Sequence, residues 1–129
     1  MTSMEELARL QQQDRVALSS MLVSLNGAKN ALRRDQCGDW TIRGSRGHVR
    51  ACGKRFSVYV TTQSARAWTF AKRALDFCQL SQDGDDEGIL TLDRLPSSAE
   101  AEIMRQYIGL RQTRDVPPER ASALHPLQA

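Results

Sequence analysis

Apolar residues recur at intervals of three and four along the first part of the chain, which is the period of one face of an α-helix. The apolar members of the stripe are Met4, Leu7, Leu18, Met21, Leu25, Ala28 and Leu32, and polar Gln11 and Asp14 interrupt it between Leu7 and Leu18. Ser3 followed by Glu6 matches a capping box, in which the serine oxygen accepts a free helix N–H. The pattern predicts a helix over about 4–25 and a second helical segment to about 34, continuous or kinked at Asn26-Gly27.

The period changes from helical spacing to strict alternation after Gly38. Three alternating segments, 40–44, 48–52 and 55–62, are separated by turns that contain glycine, which is typical of an antiparallel meander. Alternation assigns one face to Trp40, Ile42, Val49, Ala51, Phe56, Val58 and Val60. It assigns the other face to Thr41, Arg43, His48, Arg50, Arg55, Ser57 and Tyr59.

A helix and a strand pair are predicted after the meander. Ser64 can cap a helix over about 65–76, on which Phe70 occupies the polar side as a second packing surface or as an exposed contact. The segments 77–81 and 88–93 then resemble two strands that flank a loop rich in aspartate and glycine.

The last predicted element is a helix that begins with a second capping box. Ser97 and Glu100 have the required spacing, and Gly109 is a C-terminal stop after about residue 108. From residue 113 onward there are three prolines and no periodicity, which predicts a disordered tail over 113–129.

These elements together predict one small soluble α+β domain, since a chain of 129 residues matches the usual size of one domain. We expect it to span residues 1–112, with an N-terminal helical segment over 1–34 and a sheet–helix core over 38–112. The architecture we expect is one sheet with helices on one face.

Charge is sorted by position along the chain, although the formal net charge is only +3. Residues 29–73 contain eleven basic and two acidic side chains, a net charge of +9. Residues 76–102 contain eight acidic side chains and one arginine, a net charge of −7. This separation predicts either a polyanion-binding surface beside an acidic one or two surfaces that neutralise each other.

The polar face of the meander is the candidate site, because alternation gathers arginines there and the adjoining turns add two more cations. The candidate nucleic-acid-binding residues are Arg43, Arg46, Arg50, Lys54, Arg55 and Tyr59. Arginine offers forked donors that suit phosphate, and Tyr59 can stack on a base. The competing interpretation is a solvated face that pairs with the acidic segment over 76–102.

Metal and catalytic motifs are incomplete. The loop 83–88 matches the first half of a calcium-binding EF-hand, but Arg94 stands where the twelfth-position carboxylate belongs. His48 and Cys52 are about 13 Å apart on one predicted strand, too far to share a zinc ion. No phosphate-binding loop, nucleophile elbow or dinucleotide motif is present. We therefore predict a non-enzymatic protein without a metal or cofactor, and we identify no small-molecule substrate.

The N-terminal helix supports an alternative function in protein interaction. Its heptad-spaced stripe can pack on the sheet or on a second copy, and we expect the first half, about 4–15, to project. The two hypotheses are a small binding or regulatory module that contacts nucleic acid and an interaction or scaffold protein that is homodimeric through this helix.

A cytoplasmic location is expected from the cysteines and the N-terminus. Three cysteines without a C-x-x-C pair are typical of reduced thiols. The first six residues contain two acids and no basic residue, unlike a secretory signal. No apolar run approaches the ~20 residues that a membrane span needs, so we expect no membrane partner.

Overall fold

The structure, a computed structural model, describes residues 3–113 and contains one six-stranded antiparallel sheet with three helices. The helices are α1 (Met4–Leu25), α2 (Ala65–Ala74) and α3 (Ser98–Ile108), with a short 3₁₀ helix at Lys29–Ala31. The strands are β1 (Leu32–Arg34), β2 (Trp40–Arg43), β3 (Gly47–Cys52), β4 (Arg55–Thr61), β5 (Gln79–Asp83) and β6 (Glu87–Leu92). Their order is β1-β2-β3-β4-β6-β5. The predicted α+β class is confirmed, while the predicted tail beyond Thr113 lies outside the described residues.

After α1 the chain forms the short 3₁₀ helix and then the strand β1, so the prediction of α-helix to about residue 34 was wrong. Asn26 adopts the left-handed conformation, with φ of 53°, and its N–H donates to the Leu22 carbonyl, which ends α1. Gly27 is buried against Leu22, and a Cβ there would lie 2.7 Å from that side chain. The chain therefore leaves the helix axis at this turn, and Leu32 pairs with Ile42 in the sheet.

The other predicted elements are confirmed. The Ser64 hydroxyl accepts an N–H at 3.1 Å at the start of α2. Ser97 and Glu100 form the predicted capping box of α3, which ends at Gly109 with φ of 68°. The predicted strand pair is β5 and β6, and β6 also pairs with β4, so the pair extends the meander into a single sheet.

The core lies on one face of the sheet, as the alternation predicted. Val49 is paired with Val58, which is paired with Leu90, and these side chains have almost no exposed surface. The buried helical residues of this core are Leu18, Met21, Leu22 and Leu25 in α1, Trp68 and Ala71 in α2, and Ala101, Met104 and Ile108 in α3. The opposite face, called the outer face below, bears Arg43, His48, Arg50, Arg55, Ser57 and Tyr59. None of the three helices covers it, because all three contribute to the core on the other side.

The first half of α1 is solvent-exposed, which agrees with the predicted projection. The helix has 22 residues and is therefore about 33 Å long. Its buried residues begin at Leu18, whereas Met4 is 84% exposed and Leu7 is 46% exposed. Neither α1 nor any other helix within residues 3–113 combines the length and apolar character of a membrane span.

Candidate nucleic-acid interface

A groove of about 660 Å³ lies on the outer face at the β1–β2–β3 side of the sheet. Its charged and aromatic lining residues are Arg33, Arg34, Asp35, Arg43, Arg46, His48, Arg50 and Tyr59. Arg34 is paired with Trp40, so its side chain lies on the core face of the sheet and its charge does not face the groove. The other four arginines and Asp35 give the groove a net charge of +3 when His48 is neutral. Three strands and the turns that join them bring these charges together from residues 33–50 of the sequence.

Four of the six predicted binding residues line this groove, namely Arg43, Arg46, Arg50 and Tyr59. Lys54 and Arg55 lie at the opposite end of the β3–β4 hairpin, where Cys52 pairs with Arg55. β3 has six residues, so this end is about 17 Å from Gly47 at the groove. Arg55 instead lines a separate depression of about 140 Å³ beside Phe77. The structure therefore does not place Lys54 and Arg55 in one site with the other four.

Arg33 of the groove and the neighbouring Arg34 were missed because the sequence pattern predicts a helix there. Arg33 is paired with Thr41 on the outer face, and its guanidinium donates to the Asn30 carbonyl at 3.1 and 3.2 Å. Arg34 points to the core face, where its guanidinium lies 5.0 Å from the centre of the Trp40 ring and Arg15 of α1 lies 4.9 Å from the same ring. The signal that could have found them is the Asn26-Gly27 turn, after which a short edge strand fits the sequence as well as a helix does.

Arg46 is held in place by the end of α3. Its guanidinium donates to the Gln106 carbonyl at 3.1 Å, and its backbone N–H donates to the Ile108 carbonyl at 2.9 Å. A Cβ on Gly44 in the same turn would lie 2.0 Å from the Ile108 carbonyl oxygen, so a residue without a side chain is required there. These contacts fix the β2–β3 turn and with it one rim of the groove.

Asp35 is an internal counter-charge of the groove. One of its carboxylate oxygens forms an ion pair with Arg50 at 2.7 Å, and the other accepts the backbone N–H groups of Cys37 and Asp39 at 2.9 and 3.0 Å. Burial raises the pKa of Asp35, but these backbone N–H groups and the Arg50 guanidinium together lower it below its ordinary value. Asp35 is therefore ionised at neutral pH and orients Arg50.

Two aromatic rings, His48 and Tyr59, stack on the floor of the groove. They are opposite each other in the β3–β4 register, with ring centroids 5.0 Å apart and planes inclined by 27°. The Tyr59 hydroxyl donates to the Glu87 carboxylate, which raises the pKa of Tyr59. Burial, followed by the charges of Arg50 and Arg43, lowers the pKa of His48. The imidazole is therefore neutral at pH 7, and both rings of the pair are uncharged.

The acidic side chains Asp83 and Glu100, in the segment 76–102, bind groups other than the arginines of the groove. Asp83 accepts the indole N–H of Trp68 at 2.7 Å and the ammonium of Lys72 at 3.0 and 3.1 Å. Glu100 forms an ion pair with Arg94 at 2.7 Å. Arg33, Arg43 and Arg46 are exposed on the groove. These contacts do not agree with the alternative prediction, in which this segment neutralises the arginines.

No metal cluster is found in the described part of the chain. Within residues 3–113, no three His, Cys, Asp or Glu side chains converge on a point that could hold a metal ion. Cys37, Cys52 and Cys78 are free thiols, and burial raises the pKa of Cys78 to about 12.

Comparison of the chain with models of known protein families, with curated proteins and with solved structures finds no match. Function is therefore inferred from the geometry and charge of the groove.

Proposed function

We propose that this protein is a small non-enzymatic binding or regulatory module that binds nucleic acid through the groove on its outer face. The observation that carries this proposal is the gathering of four arginines around one open groove, which has one opposing carboxylate among the residues that the structure describes. Phosphate neutralisation by closely spaced cations releases counterions, which is the main source of affinity for a nucleic-acid backbone.

The type of cation and the contacts that hold its side chain also support the proposal. Arginine guanidinium groups present two parallel donors to a phosphate, which a lysine ammonium cannot do. Arg46 is fixed by a hydrogen bond of 3.1 Å to the Gln106 carbonyl, so less side-chain entropy is lost when a phosphate binds. The absence of a helix over the outer face in the described residues leaves room for an extended ligand.

The test is fluorescence anisotropy with labelled random single-stranded and duplex oligonucleotides, started at low salt. The variant R33E/R43E should lose most binding, because it replaces two cations of the groove by anions. R66E/R73E is the matched control, since it makes the same charge change on exposed positions of α2, which packs on the core side of the sheet. Failure of the wild-type chain to bind either oligonucleotide at low salt would refute the proposal, and equal losses in both variants would move the site away from the groove.

The exposed half of α1 supports a second candidate function, an interaction or scaffold protein that forms a homodimer. Met4, Leu7 and Leu10 are 84%, 46% and 46% exposed, and they follow one another at intervals of three. Exposed apolar residues on one helix face can associate with a second copy. Sedimentation should then show a dimer that L7K/L10K dissociates, whereas a monomer at high concentration contradicts this function.

A further inference from the structure

The stacked pair of His48 and Tyr59 is the part of the groove that phosphate binding does not explain. Both rings are uncharged at pH 7, so neither contributes the positive charge that attracts a phosphate. Both lie half-buried on the groove floor, with their rings stacked 5.0 Å apart. Flat uncharged rings beside cations are the combination on which nucleic-acid bases stack.

We infer that the groove binds a single strand of nucleic acid, with a base stacked on the His48–Tyr59 pair; the inference rests on the proposed function. In a duplex the bases are stacked on each other, and their edges are reached by a helix or a two-stranded ribbon that enters a groove of the nucleic acid. Here the site is concave and its floor is a sheet. Its volume of about 660 Å³ is in the range of pockets for molecules of nucleotide size.

The register of the strands gives the bound strand an orientation across the sheet. Arg43 is paired with His48, which is paired with Tyr59, so the arginine and the tyrosine are two strand spacings, about 10 Å, apart. Glu87 binds the Tyr59 hydroxyl and places a negative charge on the side of Tyr59 that is farther from Arg43. Phosphates are repelled there and attracted toward the arginines, so the sugar–phosphate backbone lies over β1–β3 and the base lies over the rings.

The test compares two probes that carry the same phosphates but differ in their bases. One is a single-stranded thymidine oligomer of about 10 nucleotides, within the site size of small single-strand-binding domains. The other is an abasic oligomer of the same length. Wild-type protein should bind the thymidine oligomer about 5- to 150-fold more tightly than the abasic one, which is the factor that one base–aromatic stack provides. A duplex of the same length should bind more weakly than the thymidine oligomer.

Substitutions of Tyr59 assign the effect to the ring. Y59L should bind both single-stranded oligomers equally, whereas Y59F, which keeps the ring and loses the hydroxyl bond to Glu87, should retain the preference for bases. Circular dichroism checks that both variants fold. If Y59L does not fold, the comparison of the two probes on the wild-type protein still tests whether a base contributes to binding.

Each remaining outcome separates this inference from the proposed function. Equal wild-type affinity for the thymidine and abasic oligomers, or tighter binding of the duplex, overturns the inference and leaves the proposed function standing. Retained base preference in a folded Y59L variant overturns the assignment of the stack to the Tyr59 ring. No binding of any of the three probes at low salt overturns both.

Discussion

Asp35 offers the sharpest test of the groove, because its carboxylate competes with phosphate for Arg50. The substitution D35N removes the negative charge and keeps an oxygen in the place of the one that accepts the N–H groups of Cys37 and Asp39. The turn that carries Asp35 is therefore preserved, while Arg50 loses its ion-pair partner. We expect D35N to bind single-stranded nucleic acid more tightly at low salt than the wild-type chain does.

The magnitude follows from the charges that line the groove. The four arginines on the outer face, less Arg50, which is paired with Asp35, leave three cations for phosphates. At about −0.7 per phosphate for a single strand, the slope of log affinity against log salt is then about −2.1, and a fourfold rise in salt weakens binding about 20-fold. With four cations free in D35N, the slope becomes about −2.8 and the same rise in salt weakens binding about 50-fold. R43Q removes one cation, so its slope should be about −1.4 and its loss of affinity about 7-fold.

The assay is an anisotropy titration of the three proteins between low and physiological salt, with urea denaturation to check that each is folded. The predicted order of steepness is D35N, wild type, R43Q. A D35N slope equal to or shallower than that of the wild-type chain would refute the idea that Asp35 competes with phosphate. An unchanged slope in R43Q would show that Arg43 does not contact the backbone.

Three further predictions concern stability. G88A places a Cβ 2.3 Å from both the Gln82 carbonyl oxygen and the Trp68 ring, so we expect a loss of about 1–3 kcal/mol in urea denaturation. W68F removes the Trp68 ring atoms in that contact, so the double variant W68F/G88A should lose less stability than the sum of the losses in the two single variants. Additive losses would contradict the packing of Trp68 against Gly88. The Arg94 guanidinium lowers the pKa of Glu100 from 4.5 to about 2, so wild-type stability should fall as pH drops through that window, where the unfolded chain takes up the proton first. E100Q should show a smaller fall, since Asp35, whose pKa is also lowered, still contributes, and an equal fall would contradict the lowered pKa of Glu100. Burial lowers the pKa of His48 from 6.5, so below about pH 6.5 the unfolded chain binds the proton more readily and stability falls. H48Q should show a smaller fall in urea denaturation over the same pH range, and an equal fall would contradict the lowered pKa of His48.

The sequence by itself determined the elements that depend on neighbouring residues. The capping box at Ser97 and Glu100 and the stop at Gly109 marked α3, because the hydrogen bonds that begin and end a helix are made within a few residues. Alternation assigned Val58 to the core and Tyr59 to the outer face, because successive strand residues point to opposite faces whatever the strand pairs with.

The composition of the site was decided by the tertiary structure. Spacing that fits a helix also fits a turn and an edge strand. Pairing with β2 made Leu32–Arg34 a strand that brings Arg33 to the groove. The same pairing put Asp35 beside Arg50, while the length of the β3–β4 hairpin separated Arg55 from Arg43. Strand pairing depends on contacts between distant parts of the chain, and each charge pairs with the groups that the fold brings near it. The local sequence pattern therefore predicted the basic face but could not predict which of its cations share one groove.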